Sequence, residues 1–274
     1  MRPEISSLIR SLTYPELIDA SDTQNRPDLL GVRDNLVFIH HENLEDEHSQ
    51  LSDRQDMAST TSKQNTFEIE MVLKIVRYLG QQGYGTDKLV ILTPYLGQLY
   101  RLRDALKKDN DPILNDLDSY ELVKAGLINP ADAKLTKKPI RLATIGNNFK
   151  YAVQDVRHNI PRPDNYQGEE SDIVIVSLTR SNLAGDIGFM SSPERLNVLL
   201  SRARNALIML GNADTFRNAR KGAEQWRKLF TLLGHHIYQG FPVKCERHED
   251  KVAILEKPED FDTCCPDGGC TAKW

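Results

Sequence analysis

Apolar residues along the chain fall into short runs separated by longer amphipathic stretches. The runs NLVFIHH, DKLVILTP, IRLATI, DIVIVSL and NALIMLGN are rich in Val, Ile and Leu and lack the alternation of a half-exposed strand. Such runs read as strands covered on both faces, and so as a parallel sheet. Between them the period changes. In NTFEIEMVLKIVRYLGQQG, Ile69, Val72, Leu73, Val76 and Leu79 recur at helical spacing, with Asn65 and Glu68 placed to cap the start and Gly80 and Gly83 placed to end it. GQLYRLRDALKK and ADTFRNARKGAEQWRKLFTLLG carry the same period, and the opening MRPEISSLIRSLTYPELIDA is helical as well. Strands alternating with helices imply right-handed crossovers, an open parallel sheet flanked by helices on both faces, and ligands at the carboxyl ends of its strands.

Three stretches break the alternation. HENLEDEHSQLSDRQDMASTTSKQ, within residues 41–64, is polar with almost no apolar anchor and reads as a solvated loop. Residues 109–138 form a variable insertion, and an irregular tail follows residue 240. This divides the chain into a main domain, 1–240, and a Cys-containing tail, 241–274.

Composition narrows the class without choosing a function. A chain of 274 residues with 39% hydrophobic content can bury a substantial core. A formal net charge of -4 excludes a globally basic nucleic-acid binder, so a nucleic acid would need a local groove. No window approaches the apolar length of a membrane span and the start lacks a signal-peptide pattern, so a cytoplasmic or nuclear location without membrane association is expected.

The chemistry concentrates in three places. In SSPERLNVLLSRAR, Ser192 can cap a helix with Pro193 in its first turn, Leu196, Leu199, Leu200 and Ala203 form its apolar stripe, and Arg202 lies at the stripe's edge. An arginine there can rest its stem on the core and turn its planar fork toward phosphate oxygens in a cleft, or pair with a surface carboxylate. In DNYQGEESD, Gly168 serves a turn and Glu170 stands just before a buried strand, which suits either a site or a solvated acid. The tail holds Cys245, His248, Cys264, Cys265 and Cys270 without the repeated paired spacing that a structural zinc site requires, so reduced thiols and no zinc are expected.

Taken together and in order, TPYLGQL, DNYQGEESDIVIVSLTRSN and GFMSSPERLNVLLSRARNALIMLGN resemble motifs IV, V and VI of superfamily 1 helicases of the up-frameshift and senataxin branch, and MRPEISSLI resembles the end of that branch's Q-x-R-M-x-P element. The resemblance covers residues 1–233 and implies the second RecA-like domain, a fold of the P-loop NTPase type; CCPDGGC after EKPEDFD resembles the lead-in to an NF-X-type zinc-finger region. It implies that Arg202 reaches the γ-phosphate of ATP and that Gln167, Gly168 and Glu170 touch the nucleotide. Thr93, Pro94, Tyr95, Gln98, Thr144, Thr179, Arg180 and Asn182 then meet the backbone of single-stranded RNA or DNA.

Three departures qualify these expectations. No G-x-x-x-x-G-K-[ST] occurs in the chain, so ATP and Mg²⁺ are expected only with a first RecA-like domain, and the chain alone is expected to be inactive. Met1 and Pro3 align with the M-x-P of the element, leaving Arg2 off the family's arginine and suggesting a fragment of a longer product. Residues 146–163, GNNFKYAVQDVRHNIPRP, interrupt what would otherwise read RLATIDNYQGEESD, either as an unspliced in-frame intron or as a surface loop. A non-catalytic nucleic-acid or protein binding module and a truncated or degenerate gene product are the alternatives to a helicase half.

Overall fold

The structure, a computed structural model, describes residues 1–46, 63–108, 140–145, 170–245 and 248–262. Most of the polar loop 41–64, the insertion 109–138, the segment 146–163, Gln167, Gly168 and Cys264, Cys265 and Cys270 lie outside the described residues.

Each apolar run forms a strand: β1 (Leu36–His40), β2 (Leu89–Thr93), β3 (Arg141–Thr144), β4 (Ser171–Ser177) and β5 (Ala203–Gly211), joined by the two-residue β6 (Ile237–Tyr238). Among the described residues they make one sheet in the order β3-β2-β4-β5-β1-β6, with every pairing parallel. Helices α1 (Pro3–Leu12), α2 (Thr66–Gln81), α3 (Leu96–Lys108), α4 (Pro193–Leu200), α5 (Ala213–Arg217) and α6 (Ala223–Leu233) supply the crossovers and flanks.

The continuous apolar character of the strands follows from burial on two faces. Leu36, Phe38, Val174, Val176, Leu207 and Met209 face a core completed by α1, α4, α5 and α6. Their neighbours Val37, Ile39, Ile173, Ile175, Ala206 and Ile208 face the opposite core under α2 and α3. The pleat sends successive side chains to opposite layers, so a strand with helices on both sides cannot alternate with polar residues. Trp226 anchors the first layer, fully buried with its indole N–H donating to the Met190 carbonyl at 2.9 Å.

The elements differ from the periodicity reading at definite places. The stretch 213–233 is two helices, because Gly222 takes φ 79° immediately before α6. A methyl group on that backbone would also meet the Ser191 carbonyl oxygen at 2.4 Å, so the position takes glycine on two counts. Helix α4 stops at Leu200, so Arg202 stands in the following turn, while Ala203 and Arg204 belong to β5. Ser192 occupies the cap position, but its hydroxyl donates to the Glu194 carboxylate instead of receiving a helix N–H. In α2, Asn65 does cap, accepting the Glu68 N–H; Gly80 lies within the last turn and Gly83, at φ 90°, follows the end. The tail contains a hairpin, β7 (Phe241–Cys245) with β8 (His248–Leu255), whose Phe241, Val243 and Leu255 pack in the α2 layer against Tyr78. No helix among the described residues is long and apolar enough to cross a membrane.

The Gly222 geometry carries a direct expectation. Gly222→Ala must bear both the left-handed backbone and the contact with Ser191, and should cost at least about 2 kcal/mol. A fall in the urea midpoint with an unchanged m-value is the measurement; an unchanged midpoint would contradict the packing described.

Candidate nucleic-acid and nucleotide sites at opposite sheet edges

The chemistry-bearing residues divide between the two ends of the strands. Thr93, Pro94, Tyr95, Gln98, Thr179, Arg180 and Asn182 gather where β2 and β4 end, and Thr144 closes β3 in register with Thr93. Glu170 and Arg202 lie at the starts of β4 and β5. Seven residues of strand separate these groups by about 20 Å. The rule that ligands gather at carboxyl ends covers the first group and not the second.

At the carboxyl edge the organising group is one that sequence reasoning assigned only to capping. Glu68 is fully buried, and its carboxylate accepts the Ser177 hydroxyl at 2.6 Å and the Thr179 N–H at 2.9 Å, with His41 Nε2 at 3.1 Å. Its place in the first turn of α2 adds the positive end of the helix dipole. Gln98, also fully buried, donates to Ser177 at 2.8 Å and to the Asn65 carbonyl at 3.1 Å, and accepts the Asn65 N–H at 2.8 Å. Thr93 and Thr179 hydroxyls meet at 3.2 Å, both fully buried. Gln98, Thr93 and Thr179 are thus interior members of a hydrogen-bond network, not surface contacts. The one clue in the sequence was the spacing from Asn65 to Glu68, which reads equally well as a cap.

Among the described residues, Thr179 is the non-glycine with positive φ, at 69°. A β-branched residue there is strained, and the Glu68 bond to its N–H holds it. The turn redirects the chain so that Arg180 enters a cage. Its side chain is 5% exposed; Nε donates to Glu45 at 2.8 Å and Nη2 to Asp186 at 3.0 Å, with the Tyr95 hydroxyl at 3.5 Å from Nη1. Burial opposes the Arg180 charge, but the bonds to Tyr95, Glu45 and Asp186 outweigh it and raise its pKa; the same arginine, with the Gly188 N–H, lowers that of Asp186. Burial raises the Tyr95 pKa despite its contact with Arg180. Gly188, at φ 47°, leaves room that a side chain would take from both Tyr95 and Arg180. Asn182 bonds to Glu45 at 3.1 Å and to the Asp186 carbonyl at 2.8 Å.

Beside this loop opens a cleft of about 490 Å³ lined by Glu42, Asn182, Asn212, Asp214 and neighbours, with no cation in its wall. Such a lining repels phosphate. His40, Glu42 and Asp214 come close enough to share a cation. The Ala213 N–H, however, donates to His40 Nδ1 at 3.1 Å, so the neutral ring carries its proton on Nε2 and presents no lone pair to a metal.

At the amino edge the Ser171 N–H donates to the Arg202 carbonyl at 3.0 Å, joining the turn after α4 to the start of β4. Arg202 is 8% exposed, more enclosed than a position at the rim of a helical stripe suggested. Glu170 is exposed and pairs with Arg204 at 3.1 Å, a residue sequence reasoning left without a role. The Arg204 carbonyl accepts the Arg2 N–H at 2.8 Å, while the Arg2 guanidinium pairs with Asp28 and donates to the Pro27 carbonyl at 3.0 Å.

A family profile described as an AAA domain matches residues 1–214. The chain is 27% identical over 273 residues to NFX1-type zinc finger-containing protein 1 of Mus musculus, covering 99% of this chain and 11% of that protein. It is 29% identical over 240 residues to helicase required for RNAi-mediated heterochromatin assembly 1 of Schizosaccharomyces pombe, covering 88% of this chain and 19% of that protein. It is 33% identical over 156 residues to regulator of nonsense transcripts 1 of Dictyostelium discoideum, covering 57% of this chain and 9% of that protein. The chain therefore spans about a tenth to a fifth of the length of these relatives.

The His40 geometry sets a pH dependence. Burial lowers its pKa from the ordinary value of 6.5, as does burial of His236, so the unfolded chain binds more protons just below that value. Stability should be level above about pH 6.5 and fall as pH drops through the window beneath it. His40→Asn keeps an acceptor for the Ala213 N–H but cannot titrate. Denaturation midpoints from pH 5 to 8 should slope less in this variant, and identical slopes would contradict the assignment.

Proposed function

The chain belongs to the AAA-domain family of up-frameshift-like superfamily 1 helicases, in the NFX1-type subgroup, and from that premise we propose that it works as the second motor domain of an ATP-dependent helicase. On this reading the loop after β4 meets the backbone of single-stranded RNA or DNA, and Arg202 completes an ATP site whose phosphate loop belongs to a first RecA-like domain.

The observation that carries the reading is the bond between the Ser171 N–H and the Arg202 carbonyl. It brings the arginine of SRAR and the acid of QGEE, far apart in sequence, to one edge of the sheet. That edge suits a polyphosphate: Arg202 and Arg204 offer planar forks for phosphate oxygens, and Glu170 offers an acceptor. ATP bound there with Mg²⁺ would supply the free energy of phosphoryl transfer. The chain's own residues orient and neutralise the phosphates, which is the largest part of catalysis in such transfers.

The opposite edge reads nucleic acid through few exposed groups. Thr93, Gln98 and Thr179 are buried and act by fixing the loop. Direct contact falls to the half-buried Pro94, Tyr95 and Asn182, which would bind sugar and phosphate without reading sequence, and Arg180 would join them on release from its carboxylate cage.

Joined to a first domain that carries the phosphate loop, Arg202→Ala should lower nucleic-acid-stimulated ATP turnover by about 10³, with nucleic-acid affinity unchanged. A loss below threefold would sink the assignment. The 274-residue chain by itself should show no ATP hydrolysis above background, and measurable turnover would count equally against it.

A further inference from the structure

The charge around Glu45 is arranged in an unusual way. Its Oε2 receives Arg180 Nε at 2.8 Å, the Ser181 N–H at 3.2 Å and the Asn182 amide at 3.1 Å, while Lys63 Nζ stands 3.3 Å from Oε1. One guanidinium, one ammonium, one side-chain amide and one backbone N–H therefore converge on a single carboxylate. Glu45 is 11% exposed in its side chain, and its own N–H donates to the Ser181 carbonyl at 2.9 Å, pinning it across the loop. Convergent charge-assisted donors of this kind form an oxyanion site, equally suited to a carboxylate or to a phosphodiester.

We propose that Arg180, Ser181, Asn182 and Lys63 form a phosphate site for a single-stranded nucleic-acid backbone, and that Glu45 is an internal plug which the phosphate displaces. The inference rests on the reading that the loop after β4 faces nucleic acid; it adds Lys63 and Ser181 to that contact and gives Glu45 a competing role. Three features support it. The donors sit at the carboxyl edge of the sheet, beside a cleft whose acidic lining would turn phosphate away toward them. Arg180 and Lys63 are balanced by Glu45 and Asp186, so the filled cage has no net charge, and withdrawal of Glu45 leaves it with one positive charge. The backbone on either side is fixed without the Glu45 carboxylate: the Glu45 N–H bonds the Ser181 carbonyl, Thr66 holds Asp46 at 2.8 Å, and Glu68 holds both His41 and the Thr179 N–H. The Glu45 carboxylate can therefore swing out about its own side-chain bonds while the backbone that positions the donors stays in place.

The displacement makes binding an exchange of one anion for another. A phosphate must compete with a tethered carboxylate, which weakens affinity at rest and makes binding depend on the position of the 41–46 segment. Removing the plug should increase affinity, which is the opposite of what deleting a binding residue does.

The test is an anisotropy titration of the 274-residue chain with labelled, unstructured single-stranded RNA and DNA oligonucleotides at several salt concentrations. Glu45→Ala should tighten binding about tenfold, the scale of one charge-assisted contact, and steepen the log-log salt dependence by about 0.7, the release of one further counterion from a single strand. Adding Arg180→Ala in the same chain should erase the gain. Glu45→Gln, which keeps an acceptor for the cage and guards against misfolding, should give a smaller tightening of the same sign. Glu42→Gln removes a nearby acid that does not touch Arg180 and should change affinity by less than about twofold, separating a plug from a general change of field. If Glu45→Ala and Glu45→Gln bind no tighter than the wild type while Arg180→Ala weakens it, the plug is wrong and the nucleic-acid reading stands. If none of these substitutions changes affinity, the loop does not meet nucleic acid and both fall.

Discussion

A carboxylate with no access to water must have its charge answered from within the protein, and the Glu68 side chain imposes that demand on four segments at once. Ser177 and the Thr179 N–H answer it from β4, His41 from the end of β1, and the amino end of α2 through its own dipole. Gln98 then ties the start of α3 to the same hydroxyl. Withdrawing any member would leave its partners buried and unsatisfied, which costs more than the bond itself contributes. The carboxyl edge of the sheet is consequently a rigid frame. The strained Thr179 turn persists because that frame over-determines it.

The sheet was largely legible in the sequence, for a physical reason: strands buried on both faces must be apolar throughout, and no other element in a chain of this size produces such runs so regularly. Boundaries were harder to read. The 213–233 stretch has helical period throughout, yet the first helix ends at Arg217 and the left-handed Gly222, close against Ser191, sets the start of the second. The arginines of SRAR looked like the end of a helix because apolar spacing continues through Ala203, which is buried in the sheet instead. The β7 and β8 hairpin was missed because the apolar run of β7 is too short to announce itself, its burial coming from tertiary neighbours such as Val32, Tyr78 and Phe261.

The site was legible in its members and not in their roles. Motif resemblance identified Thr93, Gln98, Thr179 and Arg180, yet it could not distinguish a group that touches a ligand from one that holds the toucher in place. Bonding makes that distinction: the first three are enclosed in a hydrogen-bond network around Glu68, whereas Arg180, also buried, is closed off by the carboxylates of Glu45 and Asp186. Glu45 and Lys63 carried no signal because a polar loop looks solvated whatever its charges meet. Glu68 had one, but the helix cap it resembles is a commoner use of the same spacing.

The division of the chemistry between the two ends of β4 has a mechanical side. One strand runs from the Ser171 N–H, bonded to the Arg202 turn, to Ser177, bonded to Glu68; it is paired on both sides from Ile173 to Val176, and its register with β5 shifts between Ser171 and Ile173. Its doubly paired middle resists bending as a rod does, while the shift next to Ser171 is where movement of the Arg202 turn would be taken up before it reached Ser177.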